Sequence, residues 1–427
     1  MTTNASAPET AEVQRAWAQL REKGTANREI ANRLRVGLDG VIDRFEELYL
    51  GDHPHGPGEC CKLILGANGE GKTHLLLCIK ERALRAGHLV ALVEARTVGA
   101  AASPFLFGQQ ILLSLETPPA GGANQVHPLV TLLRAAVDQK RTGLINQNLE
   151  AEELLSEWAE EMRLCNLQPS DIAEALADGL KAVMRGDNEA TLSSVKRLSL
   201  EGKVPPQQQQ QIVGANLLRS IVRLPRILGF RPLVLLIDEA EGAVAKAGSA
   251  RRQVFLQFLR FLNDHFALSD QGGAVVLIAC TDDFWPGEFD HYTALKSRLS
   301  DPGRDSPAER RDASLRFLLR TNKLWVRETF RGAHADYTAL GDAILSLGAQ
   351  IFPDLDLELQ RRNADRLARV ASSQAVIAFI KRPFVKALAM TVDEQVDNGQ
   401  QEDLSDSDAQ HRFDVAVDQV QAMDDDE

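Results

Sequence analysis

The sequence predicts an α/β fold: a parallel β-sheet core, a long helical insertion and a C-terminal helical domain. Three observations predict it. Residues 66–73 read Gly-Ala-Asn-Gly-Glu-Gly-Lys-Thr, a complete G-x-x-x-x-G-K-[ST] phosphate loop. Four short apolar runs, Lys62–Leu65, Leu89–Glu94, Leu233–Ile237 and Ala274–Cys280, alternate with helical patterns. Runs that stay apolar rather than alternating belong to strands covered on both faces, as in parallel sheets. Finally, the third run ends in Asp238-Glu239 and the fourth in Thr281, polar groups at the strand ends where open α/β sheets bind ligands.

Taken in order, residues 1–20 read as a flexible N-terminal extension. From Ala26 to Tyr49, Ile30, Leu34, Leu38, Val41, Ile42, Phe45 and Leu48 recur at helical spacing, so one or two short helices precede the core. The loop from Gly51 to Gly58 leads into the first strand. His74-Leu75-Leu76-Leu77-Cys78-Ile79 opens a helix whose N-terminus adds its positive dipole end to the anion site. Residues from about 100 to 230 are helical, punctuated by Pro118-Pro119, Gly186-Asp187-Asn188 and Pro205-Pro206. Arg251–Phe266 is a helix with Phe255, Phe258, Leu259, Leu262 and Phe266 on one face. Ala308–Met390 is helical throughout, and the polar end from about Asp397 is expected to be disordered. No internal repeat is visible.

Composition excludes several classes. Charged residues make up 25% and apolar residues 44% of 427, an ordinary globular balance. No apolar stretch reaches the length of about 18 residues that a membrane span needs. Met1–Pro8 has neither a basic nor an apolar signal-peptide region. The five cysteines, odd in number and mostly in apolar runs, fit free thiols in a reducing cytoplasm. The net charge of −12 is a property of the tail: from Thr391 to Glu427, thirteen acidic residues face one basic residue, Arg412. The rest is balanced, so charge does not exclude a nucleic-acid partner.

The candidate site residues follow from this frame. Gly66, Ala67, Asn68, Gly69, Glu70 and Gly71 curl the backbone so that its N–H groups face phosphates. Lys72 reaches the β- and γ-phosphates, Thr73 offers a Mg²⁺ ligand, and His74 starts the following helix. Asp238 holds the Mg²⁺ water shell and Glu239 activates the attacking water. The competing reading is an acidic helix cap. Thr281 is the candidate sensor of the γ-phosphate, against a Thr-Asp-Asp turn. Lys296–Arg331 carries ten basic and five acidic residues. Within it Arg298, and less so Arg304, is a candidate finger that completes a neighbour's site, against a solvated helix face. Arg382, followed by Pro383, sits at a helix start and is a candidate lid sensor. His53, His55, Cys60 and Cys61 match no common zinc spacing. Phe413, Val415 and Val417 alternate with polar or small residues as in a strand that docks on a partner's sheet, a reading secondary to the plain disorder expected of this tail.

These residues carry a resemblance. A phosphate loop running into Gly-Lys-Thr-His-Leu-Leu, a helical insertion, and Asp238-Glu239-Ala240-Glu241 after a strand resemble the AAA+ ATPases. Asn32-Arg33-Leu34-Arg35-Val36-Gly37, Ile227-Leu228-Gly229-Phe230 and Thr281-Asp282-Asp283-Phe284-Trp285 are similar to the ATP-binding proteins of bacterial anti-phage islands. Those are the BrxD type of BREX systems and the related ATPase of the Shango system. The resemblance spans about residues 25–395 and departs at Glu70, where a small residue is usual; a carboxylate there points away from the phosphates or weakens affinity. The acidic tail lies outside it.

The resemblance implies a P-loop AAA+ ATPase core over about 21–305, with its insertion over about 100–230. It also implies a helical lid domain over 306–395, leaving an acidic, disordered tail over 396–427. It implies ATP and Mg²⁺ as cofactors and a homo-oligomer working on DNA with a nuclease or helicase partner in defence, away from membranes. The nucleotide motifs are shared by replication initiators and helicase loaders. A non-hydrolysing ATP-dependent scaffold is the third reading, and Glu239 favours turnover.

Overall fold

The structure is a computed structural model of the chain. It describes residues 7–26, 30–51, 60–66, 69–95, 103–118, 127–144, 151–165, 167, 170–200, 203–243, 249–266, 273–281, 333–374 and 381–426. In chain order the elements are α1 (Ala7–Lys23), α2 (Asp39–Phe45), β1 (Cys60–Leu65), α3 (Lys72–Arg85), β2 (His88–Glu94), α4 (Pro104–Leu113) and β3 (Leu115–Glu116). Then come α5 (Pro128–Leu144), α6 (Ala151–Cys165), α7 (Ser170–Arg185), α8 (Asn188–Leu198), α9 (Gln210–Leu228), β4 (Arg231–Asp238), α10 (Ser249–Phe266) and β5 (Val275–Cys280). Four helices close the chain: α11 (His334–Ile351), α12 (Leu357–Ser373), α13 (Lys381–Asp397) and α14 (Asp406–Asp426). These elements fall into two compact units. One comprises Met1–Asp43, Leu65–Glu81 and Lys323–Glu427, the other Arg44–Ile64 and Arg82–Asn322.

The second unit is built on a five-stranded sheet of order β1-β5-β4-β2-β3. β2 with β4 and β4 with β5 are parallel, as the unbroken apolar runs predict. The parallel expectation needs one correction: β3 pairs antiparallel to β2. It has two residues, too few to show a period. All six residues of β5 are buried. At about 1.5–3 kcal/mol for each large aliphatic side chain, burial on one such strand rivals the net stability of a whole domain. A slip in register is therefore prohibitive, and Thr281 is held at the strand end.

Helices α4 and α9 pack side by side because small residues let them approach. A Cβ on Gly214 of α9 would lie 2.6 Å from the Pro104 carbonyl carbon, and one on Gly108 of α4 would lie 2.7 Å from Leu217. α9 stops at Gly229, whose φ is +82°, and Phe230 N–H bonds the Pro225 carbonyl at 2.8 Å. This left-handed stop is the physical content of the Ile-Leu-Gly-Phe segment. It turns the chain straight into β4.

The first unit is a helical bundle with its own core. Val13, Ala16, Trp17 and Leu20 of α1 join Ile344 of α11, Leu367 of α12, Leu388 of α13 and Phe413 of α14. Two expectations are corrected here. The N-terminal extension is not a flexible arm: α1 buries Trp17 and bonds its indole to Asp393 at 3.3 Å, while Arg21 pairs with Asp393 at 2.6 Å. The acidic tail is not disordered: α14 buries Ala409, Phe413, Ala416 and Val420. That spacing of four, three and four is a helical stripe, masked in the sequence by the aspartates on the other faces. Strand-like alternation at Phe413, Val415 and Val417 was the wrong period. Arg412 pairs with Glu394 of α13 at 2.5 Å. Ahead of the loop, Arg33 donates to Gln350 of α11 at 2.8 Å.

Candidate functional site

The phosphate loop belongs to the first unit. It leaves β1 at Gly66 and enters α3 at Lys72. Gly69 and Gly71 have φ of +77° and +103°, a backbone region that residues with a Cβ rarely enter. Leu75 N–H bonds the Gly71 carbonyl at 2.9 Å, which closes the first turn of α3, and a helix N-terminus favours an anion. Lys72 is buried, and its Nζ donates to the Gly66 carbonyl at 2.7 Å. Thr73 beside it is exposed. Ala67 and Asn68 lie outside the described residues.

Glu70, the departure noted in the sequence, is 8% exposed. A Cβ built on Gly66 would lie 2.7 Å from Glu70 Oε2 and 3.5 Å from Lys72 Cγ. The carboxylate is thus folded back over the glycine at the strand exit, and a side chain at position 66 would displace it. His74 Nε2 is buried with no hydrogen-bond partner among the described residues. Burial, with a smaller contribution from the charge of Lys381, pushes its pKa down to about 4. The imidazole is neutral at pH 7 and adds no positive charge to the loop.

The Asp-Glu turn belongs to the second unit. Asp238, 4% exposed, ends β4. Its carbonyl accepts from Ala95 N–H at 2.9 Å, and its Oδ1 accepts from Glu239 N–H at 3.0 Å. Glu239 has φ of +51°, an uncommon conformation for a residue with a side chain. A short 3₁₀ turn, Ala240–Ala243, follows. From this turn Glu241 Oε2 accepts the Thr281 N–H at 3.1 Å. Within this unit the structure therefore gathers Asp238, Glu239 and Thr281 on the ends of two adjacent parallel strands.

Glu241 was quoted in the motif without a role, and the structure supplies one: it ties the exit of β5 to the turn after β4. The signal was present in the sequence as a carboxylate three residues after Asp238. Lys381 was also missed. It opens α13 within the first unit, where burial pushes its pKa down to about 8 against the opposing charges of Asp336 and Glu70. Arg382, the expected lid residue, donates from Nε to the Lys23 carbonyl at 2.8 Å, while Lys386 Nζ donates to the Glu22 carbonyl at 2.6 Å. Both cations cap the free carbonyls at the end of α1. Arg298, Arg304, His53 and His55 lie outside the described residues. Among the described residues, no helix is long and apolar enough to cross a membrane.

The loop suits a polyphosphate on its own features: left-handed glycines, a helix start and a buried lysine. Comparison with known families agrees. The family described as BREX system ATP-binding protein BrxC/D matches residues 19–320. No curated protein and no solved structure matches the chain. The family match takes in α4–α9, all five strands and both motifs, and on it the chain belongs to the BREX system ATP-binding proteins, BrxC/D.

Proposed function

We propose that the chain is a cytoplasmic AAA+ ATPase that hydrolyses ATP with Mg²⁺ and couples the cycle to assembly on DNA with a nuclease or helicase partner in phage defence. The observation that carries hydrolysis is Glu239. Its backbone holds a left-handed conformation, φ +51°, directly after the buried Asp238. Strain of this kind, on the order of 1–3 kcal/mol, persists where a side chain is needed in one place. A scaffold that only bound ATP would have no use for it.

In this reading the loop from Gly66 to His74 binds the triphosphate through its backbone, and Lys72 turns from the Gly66 carbonyl to the phosphates. Thr73 and Asp238 would hold Mg²⁺, which offsets charge on the phosphates. Glu239 takes the proton of the attacking water, and Thr281, tethered by Glu241, marks the γ-phosphate. Arg298 of a neighbouring copy completes the site as a finger. Arg382 belongs to the lid, where it fastens the start of α13 to α1. The basic composition of Lys296–Arg331 suits contact with DNA phosphates.

The test is ATP turnover with and without duplex DNA, measured on wild type and on Glu239→Gln. Turnover that rises with DNA and disappears in the variant is expected. Wild type that binds ATP yet never turns it over, with DNA and with its genomic neighbours present, would sink the hydrolytic reading. For the finger, activity per subunit should fall on dilution to monomers. Constant activity removes Arg298 from the mechanism.

A further inference from the structure

Helix α12 carries four arginines, Arg361, Arg362, Arg366 and Arg369. Its opposite side, with Asn363, Ala364, Leu367 and Ala368, is buried in the bundle, so the arginines stand on a rigid element. Arg362, Arg366 and Arg369 recur at intervals of four and three, one stripe of a helix. At a rise of 1.5 Å per residue the stripe is about 10 Å long. Two of its three arginines find their counter-charge on the acidic tail. Asp403, in the turn between α13 and α14, accepts from Arg362 Nε at 3.1 and 3.3 Å and lies 3.3 Å from Arg366 Nη1. Asp406, which opens α14, is 4.0 Å from Arg366 Nε. Asn363 fastens the turn: its Oδ1 accepts from Leu404 N–H at 2.8 Å, and its Nδ2 donates to the Glu402 carbonyl at 3.0 Å. Arg369 pairs with Asp365 of its own helix at 2.5 Å.

The tail serves these arginines loosely. Arg366 Nη1 is buried and has no hydrogen-bond partner among the described residues, although Asp403 is near. The side chains of Arg362 and Asp403 stay 53% and 45% exposed. An exposed ion pair biases an equilibrium by roughly a factor of five at most, so these pairs open at little cost. One carboxylate between two guanidinium groups occupies the place that a phosphate takes between two arginines. Each strand of a duplex presents a phosphate per about 3.4 Å of helix axis, so the stripe is long enough to meet two or three. We propose that Arg362, Arg366 and Arg369 form a contact surface for the phosphate backbone of duplex DNA. Asp403 and Asp406 occupy that surface in the DNA-free protein, and DNA binds there by lifting the tail turn off α12. The tail thereby keeps the arginines ordered while holding their affinity for DNA down. The proposal rests on the reading of DNA as a partner.

The experiment is equilibrium binding of a fluorescein-labelled duplex to the full chain, read by anisotropy over a salt series. Wild type is compared with Asp403→Asn/Asp406→Asn, with Arg362→Gln/Arg366→Gln/Arg369→Gln, and with the two sets combined. Asp414→Asn/Asp418→Asn is the control, since it removes the same charge from exposed positions of α14. Asp403→Asn/Asp406→Asn should tighten binding about 10-fold and steepen the slope of log affinity against log salt by about two, one for each freed arginine. The control should gain about 3-fold or less, the general effect of net charge. In the arginine-substituted background the Asp403→Asn/Asp406→Asn change should gain no more than the control. A gain that survives loss of the arginines, or one no larger than the control's, overturns the proposal. A second measurement needs no variant: saturating duplex should speed hydrogen exchange across Glu402–Ser405 in the wild type, and unchanged exchange there overturns the lifting of the turn. If neither wild type nor any variant binds duplex at the lowest salt, the reading of DNA as a partner falls as well.

Discussion

The phosphate loop and the Asp-Glu turn both follow an apolar strand, and both need left-handed backbone. They obtain it differently. The loop uses Gly69 and Gly71, at φ +77° and +103°, where the conformation costs little because no Cβ is present. The turn uses Glu239, at φ +51°, where the same handedness costs on the order of 1–2 kcal/mol. The difference teaches what each region is for. At the two loop glycines the backbone is the proposed working part, and no side chain is needed there beside the one that Lys72 supplies. In the turn the carboxylate is the proposed working part, which would explain why a strained residue stands where glycine would fit more easily.

The largest effects should separate the two regions by function. Lys72→Ala should abolish detectable ATP binding and, with it, turnover. Glu239→Gln should keep binding within a few-fold while cutting turnover by about 10²-fold or more, the usual range for loss of a general base. Isothermal titration beside a phosphate-release assay checks both. Equal loss of binding in the two variants would erase the proposed division of labour.

Much of this was legible in the sequence, and the limits are physical. The loop, the four main strands and Asp238-Glu239 were readable because each is local: spacing and an unbroken apolar run state them within a few residues. The two chain ends were misread because sparse apolar residues hide among charges. Trp17 and Phe413 each anchor a helix, but their stripes have meaning only once α13 is there to meet them. Lys381 and Glu241 were missed because their partners are distant in sequence. Arg382 was chosen on a correct local signal, a proline just inside a helix start, and yet its neighbour Lys381 is the residue whose charge reaches Glu70 and His74.

The loop region should also respond to acid through His74. Its folded pKa is depressed to about 4, below the unfolded value of about 6.5. Between those values the unfolded chain binds the proton and the folded chain does not. Stability therefore rises with pH across this window and is lost as pH falls through it. The upper bound is on the order of 3 kcal/mol. Thermal or denaturant unfolding of wild type against His74→Gln, from pH 7.5 to pH 4, measures it. A variant whose stability falls as steeply as the wild type's would show that His74 is not the group responsible.

A smaller effect tests the loop's half of the contrast. Gly71→Ala places a Cβ on a backbone at φ +103°, at a cost of about 1–2 kcal/mol. Stability and nucleotide affinity should fall together, because the conformation that becomes strained is the one that presents the N–H groups. A variant that keeps full stability but loses affinity would mean that the alanine methyl obstructs the ligand and the backbone is indifferent.

The smallest effect is the sharpest test of the turn. Glu239→Gly relieves the left-handed strain but gives the unfolded chain more freedom, so the net stabilisation should be about 1 kcal/mol or less. Measured alone, that gain is ambiguous, because the substitution also deletes the carboxylate and whatever it touches. Glu239→Ala deletes the same carboxylate and keeps the Cβ, so the difference between the two variants isolates the backbone. Glycine should be the more stable of the pair in denaturant unfolding, and both should be inactive in ATP turnover. This would reverse the Gly71→Ala result, with stability gained as function is lost. Alanine as stable as glycine would mean that position 239 is unstrained, and the strained backbone would no longer argue that Glu239 is held in place for hydrolysis.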